Sequence, residues 1–301
     1  MKARNIVITI IVVGIVCLLG STAMADEWEV VGGYLYSTMD PEDLNQTFDQ
    51  IDDLIYLGDL LAEGVELYLD LELEDDIVDI TYQPDYIDDI EEAQGYYLGI
   101  SRTIDDSSPF GDRVTLQYEK YYFGNQGGVK GNINLIVPRQ IYLNNGPIME
   151  TEEVDIEFGA SLENQMEMDA LALFVSSKVN DNVAINTGLG YYSGYGEVNL
   201  ESNMNVKVDD DLVDEDEYNK TLYKIDLEDN FGWLLGATYN QPIAEGITFT
   251  ASANYRRLVM DISVEETNED FNYILLPNKD DFPEEEDFSG LELNIGIAAE
   301  F

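Results

Sequence analysis

An all-β fold, an antiparallel up-and-down transmembrane β-barrel, follows from three features of this sequence. Segments with apolar and polar residues in alternation recur along the chain. The connections between them are long and short in strict turn. Where the alternation is clean, one face carries large apolar residues and the other carries small and polar ones. Successive side chains of a strand point to opposite faces, so each such segment is a strand with two different surfaces. Soluble sheets alternate too. The connections and the polar face decide which solvent the apolar face meets.

The chain opens on a leader. Lys2 and Arg4 precede an apolar run from Ile6 to Leu19, and Ser21-Thr-Ala-Met-Ala25 supplies small residues at the cleavage positions. This is the pattern of a secretory signal peptide over residues 1–25, with Asp26 as the expected mature N-terminus. Cys17 follows Val16 rather than a small residue, which argues against a lipoprotein. No later segment approaches the ~18 uninterrupted apolar residues of a transmembrane helix.

The strands then follow in order. Trp28 to Ser37 is the first. Asp40-Pro-Glu-Asp is a helix start, with Asp as cap and Pro in the first turn. Leu44, Phe48, Ile51 and Ile55 fall on one face of the helix expected at 41–57. Val65 to Glu74 alternates but has no evident partner, and the acidic stretch Asp75 to Glu92 follows. Gly95 to Ile104 and Arg113 to Phe123 flank the turn Asp105–Gly111. A long connection at 124–164 contains Gly127-Gly128, Pro138 and a short strand at Val154–Ala160. Met166 to Val179 and Val183 to Val198 flank the tight turn Asn180–Asn182. After a polar excursion at 199–227, Asn230 to Asn240 and Ile247 to Ile262 flank Gln241–Gly246. An acidic excursion at 263–286 leads into the terminal strand, Leu291 to Phe301.

Eight strands place the three short turns on one edge with both termini. The long connections, about 38–93, 124–164, 199–227 and 263–286, lie on the other. That asymmetry, with polar residues on the inner face and aromatics near strand ends, is the pattern of an outer-membrane barrel. A stretch of ~9–11 residues spans the bilayer as a strand, and closure leaves no unpaired edge in lipid. Ten strands are the alternative, if Val65–Glu74 and Val154–Ala160 also cross. Eight are preferred, since ten would move two long acidic connections to the short-turn side.

With the leader, the eight segments and a final strand ending in Phe301, the chain resembles the small outer-membrane β-barrels of diderm bacteria. It is similar to porin-like and OmpA- or OmpW-like barrels in general. The resemblance implies residence in the outer membrane among its lipids, after export through a cleaved signal peptide. It also implies that Leu293, Ile295, Ile297 and Phe301 form the signal read by the barrel-assembly machinery. The resemblance rests on pattern and on no family-specific motif.

Composition narrows the function. There are 62 Asp and Glu against 14 Lys and Arg. Without Lys2 and Arg4 the mature charge is about −50. Nucleic acid is excluded as a partner, because phosphate binding needs a basic footprint. Histidine is absent, so no Ser-His-Asp or Cys-His system can be built. No catalytic residue, cofactor or metal site is expected. The runs Asp209–Glu217 and Asp280–Asp287 lack calcium-loop spacing, and solvated loops are the preferred reading, with inorganic cations as the alternative.

By parity, Glu119, Arg256, Glu292 and Asn294 face the lumen. With residue 262 set near 287, Arg256 falls opposite about residue 293. It is expected to pair with Glu292 and to approach Glu119. A polar network filling a narrow barrel is preferred to a gate. The expected role is non-enzymatic, in envelope structure or surface contact. The alternative is a porin-like channel for small solutes or cations, since carboxylate rims favour cations.

Overall fold

The computed structural model describes residues 28–39, 41–50, 79–104, 112–143, 146–208, 211–214, 219–267 and 279–301. The leader, the segment Val65–Glu74 and the turn 105–111 lie outside them. The described residues form twelve strands: β1 (Trp28–Thr38), β2 (Asp79–Asp85), β3 (Glu92–Thr103), β4 (Arg113–Leu143), β5 (Gly146–Lys178), β6 (Val183–Val208), β7 (Asp211–Asp214), β8 (Asn219–Ala244), β9 (Ile247–Arg257), β10 (Val259–Glu266), β11 (Glu285–Asp287) and β12 (Gly290–Glu300). A helix, α1, covers 42–50, and a single 3₁₀ turn covers Lys279–Asp281.

Eight of the strands close a barrel in the order β1, β3, β4, β5, β6, β8, β9, β12, with every pairing antiparallel. The seam is the pairing of β1 with β12, from Glu29 opposite Glu300 to Ser37 opposite Glu292. Their order is that of the eight segments read from the sequence. Val154–Ala160 is no separate crossing. It is the middle of β5, paired with β4 on one side and β6 on the other.

Two of the expected long connections are mostly wall. β4 and β5 stay paired from Gly124 opposite Gln165 up to Leu143 opposite Gly146. β6 and β8 continue to Ser202 opposite Asn219. The reason is a change of solvent part-way along the strands. Near the short turns, Ile185, Leu189, Leu235, Ile295 and Ile297 point outward and are exposed, while Gln117, Asn186, Thr250 and Asn254 are buried inside. Farther along the same strands, Met166, Val198, Leu200, Ile225, Leu227 and Met260 form an apolar core inside the barrel. There the exposed outward positions include Glu163, Glu197, Lys224 and Asp226. A contiguous exposed apolar belt is what lipid requires. An apolar interior with a charged exterior is what water requires. One wall therefore serves two solvents in succession.

The wall bends where the solvent changes. The register between β6 and β8 shifts at Tyr192/Gly194, and the seventh wall strand is interrupted at Leu258, between β9 and β10. An extra residue exchanges the two faces of the strand that carries it. In β8 the buried positions accordingly change from odd, at Tyr223, Ile225 and Leu227, to even, at Leu234.

At the long-connection end β1 and β12 have already stopped. Helix α1 sits there, with Leu44 and Phe48 in the same core as Phe282, Phe288, Ile87 and Ile90. Asn45 anchors it twice to Ile90, accepting from its N–H at 2.9 Å and donating to its carbonyl at 3.2 Å. The Thr47 hydroxyl reaches the carbonyl of Asp281 at 3.1 Å. The stripe read from the sequence is therefore a cap on the barrel mouth as far as residue 50; Ile51 and Ile55 lie outside the described residues.

The seam depends on small residues. Gly33 faces Gly296 across it. A Cβ on Gly33 would lie 2.1 Å from the Ile295 carbonyl oxygen, and one on Gly296 would lie 2.3 Å from that of Gly32. Backbone cannot yield as a side chain can. Gly296→Val is expected to cost more than the ~1–3 kcal/mol of ordinary overpacking. The compact, heat-modifiable band on a detergent gel should be largely lost in this variant.

Candidate functional site

Midway along the lumen a single layer of polar side chains crosses the barrel. β4 contributes Gln117, Glu119 and Tyr121. β9 contributes Asn254 and Arg256, β12 contributes Glu292 and Asn294, and β6 contributes Tyr192. Strand parity turns each of them inward, and Glu119, Arg256 and Glu292 are 0% exposed.

Arg256 organises the layer. Its Nη1 lies 3.8 Å from Glu292 Oε2. Its Nε and Nη2 both donate to the Phe288 carbonyl, at 3.3 and 3.1 Å, and Nη2 also reaches Ser37 Oγ at 3.2 Å. The guanidinium carbon lies 4.8 Å from the ring centre of Tyr121 and 5.6 Å from that of Tyr192. Such cation–π contacts strengthen when water is excluded.

The register differs from the one expected. Arg256 stands opposite Gly290, not about residue 293, and Asn254 stands opposite Glu292. Directly opposed residues share a face, so an even residue had to oppose an even one for both Arg256 and Glu292 to look inward. Arg256 reaches Glu292 on the diagonal. Glu119 enters through Tyr121 and Gln117: Tyr121 Oη lies 2.6 Å from its Oε2, and Gln117 Nε2 donates to its Oε1 at 2.8 Å.

Tyr121 Oη also lies 2.7 Å from Glu292 Oε2. A tyrosine has one hydroxyl hydrogen, and an ionised carboxylate only accepts. Both short contacts draw on that one hydrogen, so Tyr121 bridges the two carboxyl groups.

Asn294 is brought in as parity requires, and its Nδ2 donates to Glu292 Oε1 at 2.7 Å. Asn254 Nδ2 approaches the same oxygen at 3.4 Å. Gln117, Tyr121, Tyr192, Asn254 and Ser37 were not singled out from the sequence. Counting by twos from Glu119 and Arg256 finds Gln117, Tyr121 and Asn254. Ser37 and the Phe288 carbonyl carry no comparable signal.

The layer divides the lumen. On the short-turn side lies a cavity of about 360 Å³, open at that end. On the other side lies the apolar core, closed by α1. Leu293, Ile295 and Ile297 point outward and are exposed in the belt, and Phe301, 75% exposed, hangs from its edge. Its N–H donates to the Trp28 carbonyl at 3.1 Å.

The acidic run Asp280–Asp287 is folded rather than simply solvated. Asp287 pairs with Arg257. Glu286 is buried, accepting from the Leu44 N–H at 2.6 Å and from the Asp287 N–H at 3.0 Å. It thus satisfies a first-turn donor of α1. Asp209–Glu217 is described only at 211–214, the strand β7.

No family model matches the chain, and no curated protein matches it. Among solved structures the chain is similar to the outer membrane protein OprG from Pseudomonas aeruginosa, at 11% identity and a TM-score of 0.36. The match covers 92% of this chain and 96% of that one. Strand order, closure and the two faces, independently of that likeness, make the architecture that of a small eight-stranded outer-membrane barrel.

Arg256→Met would leave Glu292 buried without its cation. We expect a loss of about 3–5 kcal/mol, with part of it recovered in Arg256→Met/Glu292→Gln, measured by urea unfolding from lipid vesicles. Glu286 gives a pH-dependent counterpart. Burial pushes its carboxyl from 4.5 up to about 7, against the backbone N–H groups of Asp287, Leu44 and Asp43, which favour the ionised form. The folded carboxyl therefore takes its proton more readily than the unfolded one. Its contribution to the cap is largest at low pH, declines as pH rises from 4.5 to about 7, and is flat above that. In Glu286→Gln, amide exchange of α1 should lose this part of its pH dependence, read over about pH 5–8 after correction for intrinsic rates.

Proposed function

We propose that the protein is a closed, non-enzymatic barrel of the bacterial outer membrane that displays an acidic, wall-like extension on the cell surface. The observation that carries this reading is the two successive seals in the lumen. An ion entering from the short-turn side meets the Glu119–Tyr121–Glu292–Arg256 layer. Beyond it lies the core around Phe123, Phe288, Met260 and Phe48. Narrow eight-stranded barrels are filled by side chains in this way. The channel reading would need a wetted path through both.

The extension supports the surface role. β4 and β5 continue about twenty residues beyond the apolar belt, and their outward positions there include Glu163 and Glu157. Export through the leader and assembly guided by the terminal strand ending in Phe301 fit the same reading. The lack of histidine in the sequence supports a non-enzymatic role.

Folded protein reconstituted in a planar bilayer should give no conductance steps in molar potassium chloride. Steady current from protein shown to be folded on the same gel assay would replace this reading with the channel.

A further inference from the structure

In a chain with 62 Asp and Glu, the residues from Lys120 to Met149 include none. This is the longest acid-free stretch of the sequence, and it carries Lys120, Lys130 and Arg139. It runs up β4 and into the first residues of β5. Among the described residues, β2 leaves β4 at Asn134 and β6 leaves β5 at Val154. Beyond that level β4 and β5 pair with each other alone, from Ile136 opposite Glu153 to Leu143 opposite Gly146. The wall ends in a two-stranded ribbon.

Such a ribbon is marginal by itself and offers two edges and two faces to a neighbour. The edges are blunted. Pro138 stands on β4 and Pro147 on β5, and proline has no N–H to give an added strand. The faces remain. Strand alternation sets Arg139 and Ile141 on one face, and the register sets Glu150 and Ile148 opposite them. The other face of the ribbon has Glu153 and no cation.

We propose that the ribbon is a contact between two copies of this chain in one membrane, packed face to face about a two-fold axis parallel to its strands. That axis lays β4 of each copy over β5 of the other. Arg139 meets the partner's Glu150, and Ile141 meets the partner's Ile148, so the face is complementary to itself. Charge selects this place. Two barrels of about −50 each repel one another, and the acid-free stretch is where they approach at least cost. Two short strands cover less than the ~800 Å² per partner of a stable complex. Confinement in the membrane supplies the effective concentration. The contact deepens the surface role proposed above and rests on it.

The test is disulfide cross-linking in vesicles, with Cys17→Ser as background so that each barrel carries one cysteine. Ile141→Cys barrels mixed with Ile148→Cys barrels should give a cross-linked dimer. Gln140→Cys mixed with Met149→Cys, on the other face, should give much less. Adding Arg139→Glu to both barrels of the first mixture should lower the yield about tenfold, because two opposite-charge pairs become like-charged. Glu150→Arg in both should do the same. Arg139→Glu barrels mixed with Glu150→Arg barrels should recover it. Each ribbon is then like-charged within itself, so recovery reports the contact between copies and not the folding of the ribbon. Absence of a dimer in vesicles overturns the proposal, as does equal yield from the other face or failure of the mixed charge variants to recover it. Attachment to protein-free vesicles in place of a second barrel would make a lipid surface the occupant and overturn it too. Non-conducting barrels that stay single would sink this contact and leave the closed-barrel reading standing.

Discussion

The structure depends on one constraint. A closed ring of strands has two faces, and every side chain must be on one or the other. Closure satisfies the backbone of the lower wall, where lipid cannot. The side chains alone therefore decide which medium each level of the wall can occupy. In this chain they change their decision part-way up. Below that level Leu189, Leu235 and Ile295 look outward and Asn254 and Gln117 inward. Above it Leu200, Ile225 and Met260 look inward and Glu197 and Lys224 outward. At the crossing, aromatic and ionised side chains meet on the outer surface. Lys120 pairs with Glu167 at 2.6 Å, and Tyr195 donates to Glu167 at 2.9 Å. Tyr118 donates to Asp169 and Tyr191 to Asp229. Rings with a polar tip suit such a boundary.

The polar layer inside lies near this change of medium, and its composition follows from that position. A charge there is far from bulk water on both sides. Arg256 is tolerable because two rings, one carbonyl, one hydroxyl and one carboxylate surround it. Removing a partner is costlier than the pair is worth. The layer also ties β1, β4, β9 and β12 together across the lumen, through Ser37, Tyr121, Arg256 and Glu292. The neighbouring seam at Gly33 and Gly296 gains rigidity that backbone pairing alone does not give.

How much could be read in the sequence follows from the same inversion. In the lower wall the apolar face is continuous and the turns are short, so the eight crossings and the inward set Glu119, Arg256, Glu292 and Asn294 were legible by parity. In the upper wall the alternation persists but its sense is reversed. A reading that seeks apolar residues outward passes Glu163, Asn164 and Gln165 as a loop. The Gly127-Gly128 and Pro138 signals reinforced that error, although Gly124 and Gly127 stand where a Cβ would meet neighbouring backbone. The register at Arg256 was illegible for another reason. No tight turn joins β10 to β12 to set it, and the shared-face rule was the one usable restraint.

The cap follows from how the upper wall ends. β1 stops at Thr38 and β12 begins at Gly290, so the extension lacks part of the ring that closes the lower barrel. An open lumen would expose Phe288, Met260 and Tyr223 to water. Burying a side chain of that size is worth about 1.5–3 kcal/mol, which favours any segment that can cover the opening. Helix α1 covers it with Leu44 and Phe48. Its first turn brings unpaired N–H groups into a place that water barely reaches. Glu286 meets one of them from inside an otherwise acidic run, and burial raises its own proton affinity in consequence. The apolar plug, the helix and the perturbed carboxyl are thus successive consequences of a wall that outlasts two of its strands.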